Sequence, residues 1–163
     1  MTMQTDVKQY HAKATGLVVS YQTRLKSVVV TSGTSSARTF SICDPTGSKS
    51  GTYARTSPSG VTTITMTNHG LETGNRVFLD FTSGTAIDAA FDVTKLDANS
   101  FTVTTVATTT TSGNVTMYPT ILLELDTYST VGLPVLVPGE GILCRNGIFI
   151  GLGGSVTGTI YYG

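Results

Sequence analysis

Apolar residues recur at every second position along this chain, in short bursts separated by Gly, Pro, Ser and Asn. Leu17, Val19 and Tyr21 alternate with Val18, Ser20 and Gln22. Leu25, Ser27 and Val29 share one side of the next burst, and Phe40 and Ile42 share one side of the one after. A period of two marks strands with one buried face, the pattern of antiparallel sheets. It disfavours amphipathic helices, whose apolar residues return every three or four positions. One stretch, Thr85 to Ala90, is the exception and has room for a single helical turn. Composition points the same way. Charged residues make up 12% of the chain, about half the usual share. Thr, Ser and Gly take their place, and Thr and Val suit a pleated, half-buried surface.

The 163 residues suit one mid-sized domain or two small ones. Residues 44–60, DPTGSKSGTYARTSPSG, interrupt the alternation with Pro, Gly and Ser and read as a linker or long loop. Residues 61–118 then read as a compact unit of about five short strands with closely spaced turns, a small barrel or meander. In it, Asn68-His-Gly-Leu-Glu-Thr-Gly-Asn75 is a tight double turn, and Thr108 to Gly113 is low-complexity turn material. Pro119 marks the return. Pro134 and Pro138 confine the strand around them to an edge or mark a crossing. Asn146-Gly147 lies between two apolar runs and predicts a hairpin. The expected fold is all-β: an antiparallel, jelly-roll-like β-sandwich built from 1–50 and 119–163. Residues 1–8 would be a mobile arm, 51–60 a linker and 61–118 an inserted small β-domain.

Ten basic and ten acidic residues cancel, so no basic excess exists to hold phosphates and nucleic acid is not an expected partner. No apolar run is long enough for a transmembrane helix, and no membrane is expected as a partner. The first residues, MTMQTDVKQYHAKATG, lack the apolar core of a signal peptide, which points to synthesis and folding in a cytoplasm. Cys43 and Cys144 are distant in sequence and form no CxxC, so they read as buried thiols. Two Cys and two scattered His are too few for a zinc site. A near-neutral, charge-poor surface threatens the solubility of a free monomer; it reads either as a merely Thr-rich surface or as one covered in an assembly.

Residues with chemical potential read as structural. His69 sits in the double turn, where its imidazole can bond a turn carbonyl while Gly70 and Gly74 take positive φ. Asn68, His69, Gly70 and Gly74, with Asn146 and Gly147, are therefore assigned to turns. Glu72 is the acid nearest His69 in sequence, and no GxSxG motif supplies a nucleophile. His11, beside Tyr10, suits a capping or interface role. Asp80, Asp88, Asp92 and Asp97 lack the spacing of a calcium loop. A glycosidase pair drawn from them is the remote enzymatic alternative. Gly151-Leu-Gly-Gly154 resembles part of a phosphate-binding fingerprint, but no helix pattern follows it, so its glycines read as hairpin turn residues. No catalytic residue, cofactor or metal is expected.

Two stretches resemble known families. Ile64-Thr-Met-Thr-Asn-His-Gly-Leu71, Thr73-Gly-Asn-Arg-Val77 and Asn99-Ser-Phe-Thr-Val103 resemble the small β-domain that follows the first catalytic-cysteine half-domain of ubiquitin-activating enzymes. That domain also occurs in phage tail and virion proteins. The resemblance covers roughly 64–118 and implies a spacer or interaction module without ubiquitin chemistry. Asn75 stands where the family more often has Asp. The run Val137-Pro-Gly-Glu-Gly-Ile-Leu-Cys-Arg-Asn-Gly-Ile-Phe-Ile-Gly-Leu152, with Ile160-Tyr-Tyr162, resembles small virion proteins of marine short-tailed phages. Together they imply a bacteriophage structural protein located in the virion. It would act as a capsid decoration or cement protein, a knob on the head surface held by oligomeric packing. Its partners would be itself, as a homotrimer suited to local threefold positions, and other virion proteins such as the major capsid protein. A tail- or fibre-associated adhesion or adaptor protein is the alternative.

Overall fold

A computed structural model describes residues 6–33, 38–105, 107, 109–127 and 130–163. The described residues form antiparallel sheets and contain no helix. The strands, in chain order, are β1 (Lys8–Ala12), β2 (Gly16–Val19), β3 (Thr23–Ser32), β4 (Arg38–Asp44), β5 (Lys49–Arg55), β6 (Val61–Thr65), β7 (Arg76–Asp80) and β8 (Ala89–Asp92). They continue with β9 (Thr94–Lys95), β10 (Ser100–Thr104), β11 (Thr111–Tyr118), β12 (Thr120–Thr127), β13 (Leu133–Leu136), β14 (Ile142–Cys144), β15 (Ile148–Leu152) and β16 (Val156–Tyr162). The chain divides into two compact units, Met1–Pro45 with Leu122–Gly163, and Thr46–Ile121.

The first unit contains two sheets. One runs β1-β16-β3-β13, with β14 also pairing β3; the other runs β12-β4-β15-β2. Leu25, Val28, Val30 and Ile160 of the first sheet share a buried core with Phe40, Ile42, Ile148 and Ile150 of the second. A Cβ at Gly158 would collide with the Phe40 ring, so glycine is what lets the two sheets approach there. The strand of Leu25 changes phase midway. The sequence places Leu25, Ser27 and Val29 on one side, whereas Leu25, Val28 and Val30 are buried. A register shift at Tyr161/Tyr162, opposite Ser27 and Leu25, causes the change: one extra residue moves the following side chains to the other face.

Consecutive strands of this unit mostly lie in opposite sheets. β14 pairs β3 in one sheet while β15 pairs β4 and β2 in the other. Asn146-Gly147 is therefore a corner between sheets and not the predicted hairpin. Gly147 takes φ 117 but Asn146 does not take a positive φ, so the type I′ turn that Asn-Gly favours is not formed, and both flanking strands pair elsewhere. Gly153 and Gly154 likewise join β15 to β16 across the sheets, so they too are not hairpin residues. Of the predicted arm, residues 1–5 lie outside the described residues, and Lys8 already belongs to β1, paired with Tyr162. β1 carries no apolar alternation, because Lys8–His11 are exposed on both faces.

The second unit is one seven-stranded sheet, β8-β7-β11-β5-β6-β10-β9. Its two edge strands are successive pieces of chain, broken only by Val93. The Val93 amide donates to the Asn75 carbonyl at 2.9 Å and the Gly74 amide donates to the Val93 carbonyl at 2.8 Å. The sheet thus curls into a nearly closed barrel around Tyr53, Ile64, Met66, Val77, Leu79, Phe101 and Val115.

β5 lies inside the stretch expected to be a linker. Its inward positions are Gly51, Tyr53 and Arg55, so no aliphatic alternation announces it. A Cβ at Gly51 would strike the Thr65 carbonyl. No helical turn forms at 85–90; the Ala86 amide donates to the Tyr53 hydroxyl at 3.4 Å and β8 begins at Ala89. Of the stretch expected to be turn material, Thr108 lies outside the described residues, and Thr111 to Gly113 are not a turn but the start of β11, paired with β5. Thr105 and Thr109 are held by Arg55, which is 2% exposed. Its Nε donates to the Thr109 carbonyl at 2.8 Å and its Nη1 to the Thr105 hydroxyl at 2.8 Å. Thr105 in turn donates to the Gly60 carbonyl at 2.9 Å.

Replacing Arg55 by Met keeps the volume and strands these acceptors. We expect a loss of about 1–3 kcal/mol, seen as a lower denaturation midpoint of the chain. An unchanged midpoint would show that the guanidinium only fills space.

Candidate functional site

The double turn and the turn between β9 and β10 are locked together at one end of the barrel. The His69 ring is 4% exposed. Its Nε2–H donates to the Asp97 carbonyl at 2.8 Å, and its Nδ1 accepts from the Leu71 amide at 3.0 Å. That pair of bonds selects the neutral Nε2–H tautomer. Phe101 packs edge-on against the ring at a centroid distance of 5.1 Å. Asn68 takes φ 49, a left-handed conformation that Asn tolerates, while Gly70 and Gly74 take φ 74 and 90. The Asn68 amide donates to Asn99 Oδ1 at 2.9 Å, and the Asn68 carbonyl accepts from Lys49 Nζ. A shallow depression of about 170 Å³ lies here, lined by Asn68, His69, Gly70, Lys95 and Ala98. Both ring nitrogens are already occupied, so His69 is equipped to hold the turn and has no free nitrogen for proton transfer.

The four aspartates do not form one cluster: Asp80 and Asp88 lie near each other, whereas Asp92 and Asp97 are engaged elsewhere. Asp92 pairs with Arg76 at 2.9 Å. Asp97 accepts from the Ser100 hydroxyl at 2.7 Å and the Asn99 amide at 2.6 Å, and the Ser100 bond leads in holding its carboxyl below the usual range. Asp88 Oδ1 accepts from the Phe81 amide at 2.8 Å. Asp80 is the perturbed one: burial, with the Asp88 charge beside it, pushes its carboxyl up to about 6. Among the described residues, no group of three His, Cys, Asp or Glu side chains could hold a metal ion.

In the first unit, Asn146 Nδ2 donates to both carboxylate oxygens of buried Asp44, at 3.3 and 3.2 Å. A Cβ at Gly147 would collide with the Val19 carbonyl. His11 Nδ1 bonds the Thr159 hydroxyl at 2.9 Å across the β1–β16 pair. Both cysteines are buried free thiols. Burial, with the Glu124 charge adding to it, pushes Cys43 up to about 12, and burial also raises Cys144, so neither is a thiolate at neutral pH.

What the first unit displays is apolar surface on its edges. On β13 and the turn before it, Val131 is 73% exposed, Leu133 43% and Leu136 80%. Leu17 and Tyr21 of the other sheet's margin and Tyr10 of β1 are also exposed. Among the described residues no strand pairs with the outer side of β13 or of β1. The two edges differ. The Val137 amide donates inward to the Lys26 carbonyl at 3.1 Å, and antiparallel ladders alternate. Val135 and Leu133 therefore also face β3, leaving Pro134 and Leu136 to face outward. Pro134 has no N–H, so the outer edge of β13 is a poor template for another strand. The alternation of Thr and Val could not reveal this surface, because exposure of an apolar edge depends on which strands pair.

No protein-family model matches the chain, and no curated protein matches it. Among solved structures, one similar chain is the phage phi92 endosialidase, with 16% identity and a TM-score of 0.36. The similarity covers 80% of this chain and 20% of that one, so the chain spans about a fifth of the endosialidase.

Two outcomes follow for the barrel. Replacing His69 by Phe keeps the aromatic contact and removes both bonds; a loss of about 1–3 kcal/mol is expected in chemical denaturation. A loss below the scatter of replicate curves would sink the locking role. The folded Asp80 carboxyl binds its proton more tightly than an unfolded one, about 6 against 3.8. Its contribution to stability is thus fully present below about pH 4 and is lost as the pH rises through about 6. Asp80→Asn should stabilise the chain at pH 7.5, on the order of 1 kcal/mol after allowing for solvent screening of a half-exposed group. The gap to the unmodified protein should narrow as the pH falls to 4. Thermal melts across that range test it, and a gap independent of pH would contradict it.

Proposed function

We propose that this chain is a non-enzymatic structural protein of a phage virion, acting as a capsid decoration protein through oligomeric packing on the particle. The observation that carries the reading is the apolar edge of Val131, Leu133 and Leu136. A chain with only 12% charged residues gains little from leaving such a surface in water. Pro134 disfavours uncontrolled edge-to-edge growth while leaving the side chains free to pack. The exposed strand β1 offers the open main-chain edge that β13 lacks, suited to strand addition on docking. A homotrimer placed on the major capsid protein is the assembly this reading expects. The engagement of His69, Asp92, Asp97 and both thiols in local structure supports a role without catalysis.

A second reading, a tail- or fibre-associated adhesion module, is favoured by one feature of the inserted barrel. Its outward positions on adjacent strands are uncharged. Asn114, Thr52, Thr65 and Ser100 line up across four strands, and Ser112, Ala54, Thr63, Thr102 and Thr94 across five. Such a face would contact a neutral surface at little desolvation cost.

The test is binding of purified chain to particles that lack it. Leu133→Asp with Leu136→Asp should weaken attachment at least about tenfold, the cost of losing well-packed apolar contacts. It should also reduce self-association measured by sedimentation. Full attachment of that variant, with loss of binding for Thr63→Lys with Thr65→Lys, would overturn decoration in favour of adhesion.

A further inference from the structure

The chain has five asparagines, and only Asn146 precedes glycine. It is also the one whose amide rests on a buried carboxylate: Nδ2 lies 3.3 and 3.2 Å from the two oxygens of Asp44. Asn146 is exposed and lies in the bend between β14 and β15, outside any ladder. The corner cannot dispense with its glycine. Gly147 takes φ 117, and a Cβ there would meet the Val19 carbonyl. A residue without a Cβ is also the one that least hinders attack by its own backbone nitrogen on the preceding side chain. The fold thus imposes, at an exposed and irregular position, the dipeptide most prone to intramolecular ring closure.

We propose that Asn146-Gly147 is a self-modification site, at which deamidation sets a carboxylate against Asp44 and loosens the corner joining the two sheets of the first unit. The Gly147 nitrogen forms a bond to Asn146 Cγ as the Cγ–Nδ2 bond breaks. The Gly147 proton leaves with the side-chain nitrogen as ammonia, and a five-membered imide remains. Water then opens the imide at either carbonyl. One opening gives an aspartyl residue, the other an isoaspartyl residue with the main chain running through the side-chain carbon. Both products replace the N–H donors that face Asp44 with an anion. The contact changes from a charge-assisted bond to a like-charge pair against a residue only 8% exposed. The isoaspartyl product also adds a backbone atom to a corner with no spare room.

The other asparagines serve as internal controls. Asn75 Oδ1 accepts from the Glu72 amide at 2.9 Å and Asn99 Oδ1 from the Asn68 amide at 2.9 Å, and each precedes a residue with a side chain. Incubating the full folded chain at mildly alkaline pH and 37 °C, followed by peptide mapping with mass detection, should show conversion at 146 ahead of the other four. Position 146 remaining an amide in the folded chain, while the urea-unfolded chain converts over the same period, would overturn the site. For the consequence, Asn146→Asp should melt several degrees below the unmodified chain. Adding Asp44→Asn, which restores an amide–carboxylate pair with its members exchanged, should recover most of that loss relative to Asp44→Asn alone. A melting point of Asn146→Asp equal to that of the unmodified chain, or no coupling between the two positions, would overturn the loosening.

Discussion

The pairing of β3 with β16 is the interaction on which the first unit rests. β3 is the longest strand of its sheet, and β16 is the last strand of the chain, with β1 on its far side. The register runs from Val156 opposite Ser32 to Tyr162 opposite Leu25, so nearly the whole of both strands is engaged. That ladder aligns Val28 and Val30 with Ile160 on the core face, and it positions Gly158 under Phe40 of the opposing sheet. Its strands are separated by most of the sequence, so the entropy of chain closure must be met before the pairing repays it. The insertion adds little to this cost. β4 and β12, which flank it, are neighbours in one sheet, so the chain leaves and re-enters at adjacent strands.

The second unit solves a different problem. A sheet of short, Thr-rich strands has vulnerable edges, and this one removes them by making both edges from one stretch of chain around Val93. The barrel also buries two polar side chains, Arg55 and His69. Arg55 satisfies a carbonyl and a hydroxyl at one place, and His69 satisfies a carbonyl and an amide at another. Each buried polar group is tolerable because its partners are fixed main-chain groups or threonine hydroxyls, which need no charge to meet it. This is why a chain so poor in charge can bury an arginine and a histidine.

The same economy shapes what the molecule offers outward. Its histidines, most of its aspartates and both cysteines are tied into turns, pairs or the core. What remains at the surface is apolar on the edges of the first unit and hydroxyl-rich on the barrel. Asp80 and the Asn146–Asp44 contact are the places where the fold holds groups in an uneasy state, one by burying a carboxyl with a second one nearby and one by requiring glycine after asparagine.

Period-two alternation was legible where a strand has one aliphatic face, and it located Phe40 and Ile42 without any structure. The turn role of Asn68 to Gly74 was legible too, because left-handed backbone limits the residue types that can occupy it. β1 and β5 were not legible. One is exposed on both sides, and the other fills its inward positions with Gly, Tyr and Arg, which carry no hydrophobic period. The phase change in β3 escaped because a bulge depends on the partner strand. Above all, local sequence determined that the chain is antiparallel β and where it turns, since those follow from side-chain alternation and backbone conformation. Only the tertiary structure decided which strands pair, and so which glycines make corners instead of hairpins and which apolar side chains are left outside. Pairing is chosen by distant partners, and a corner and a hairpin can be written with the same two residues.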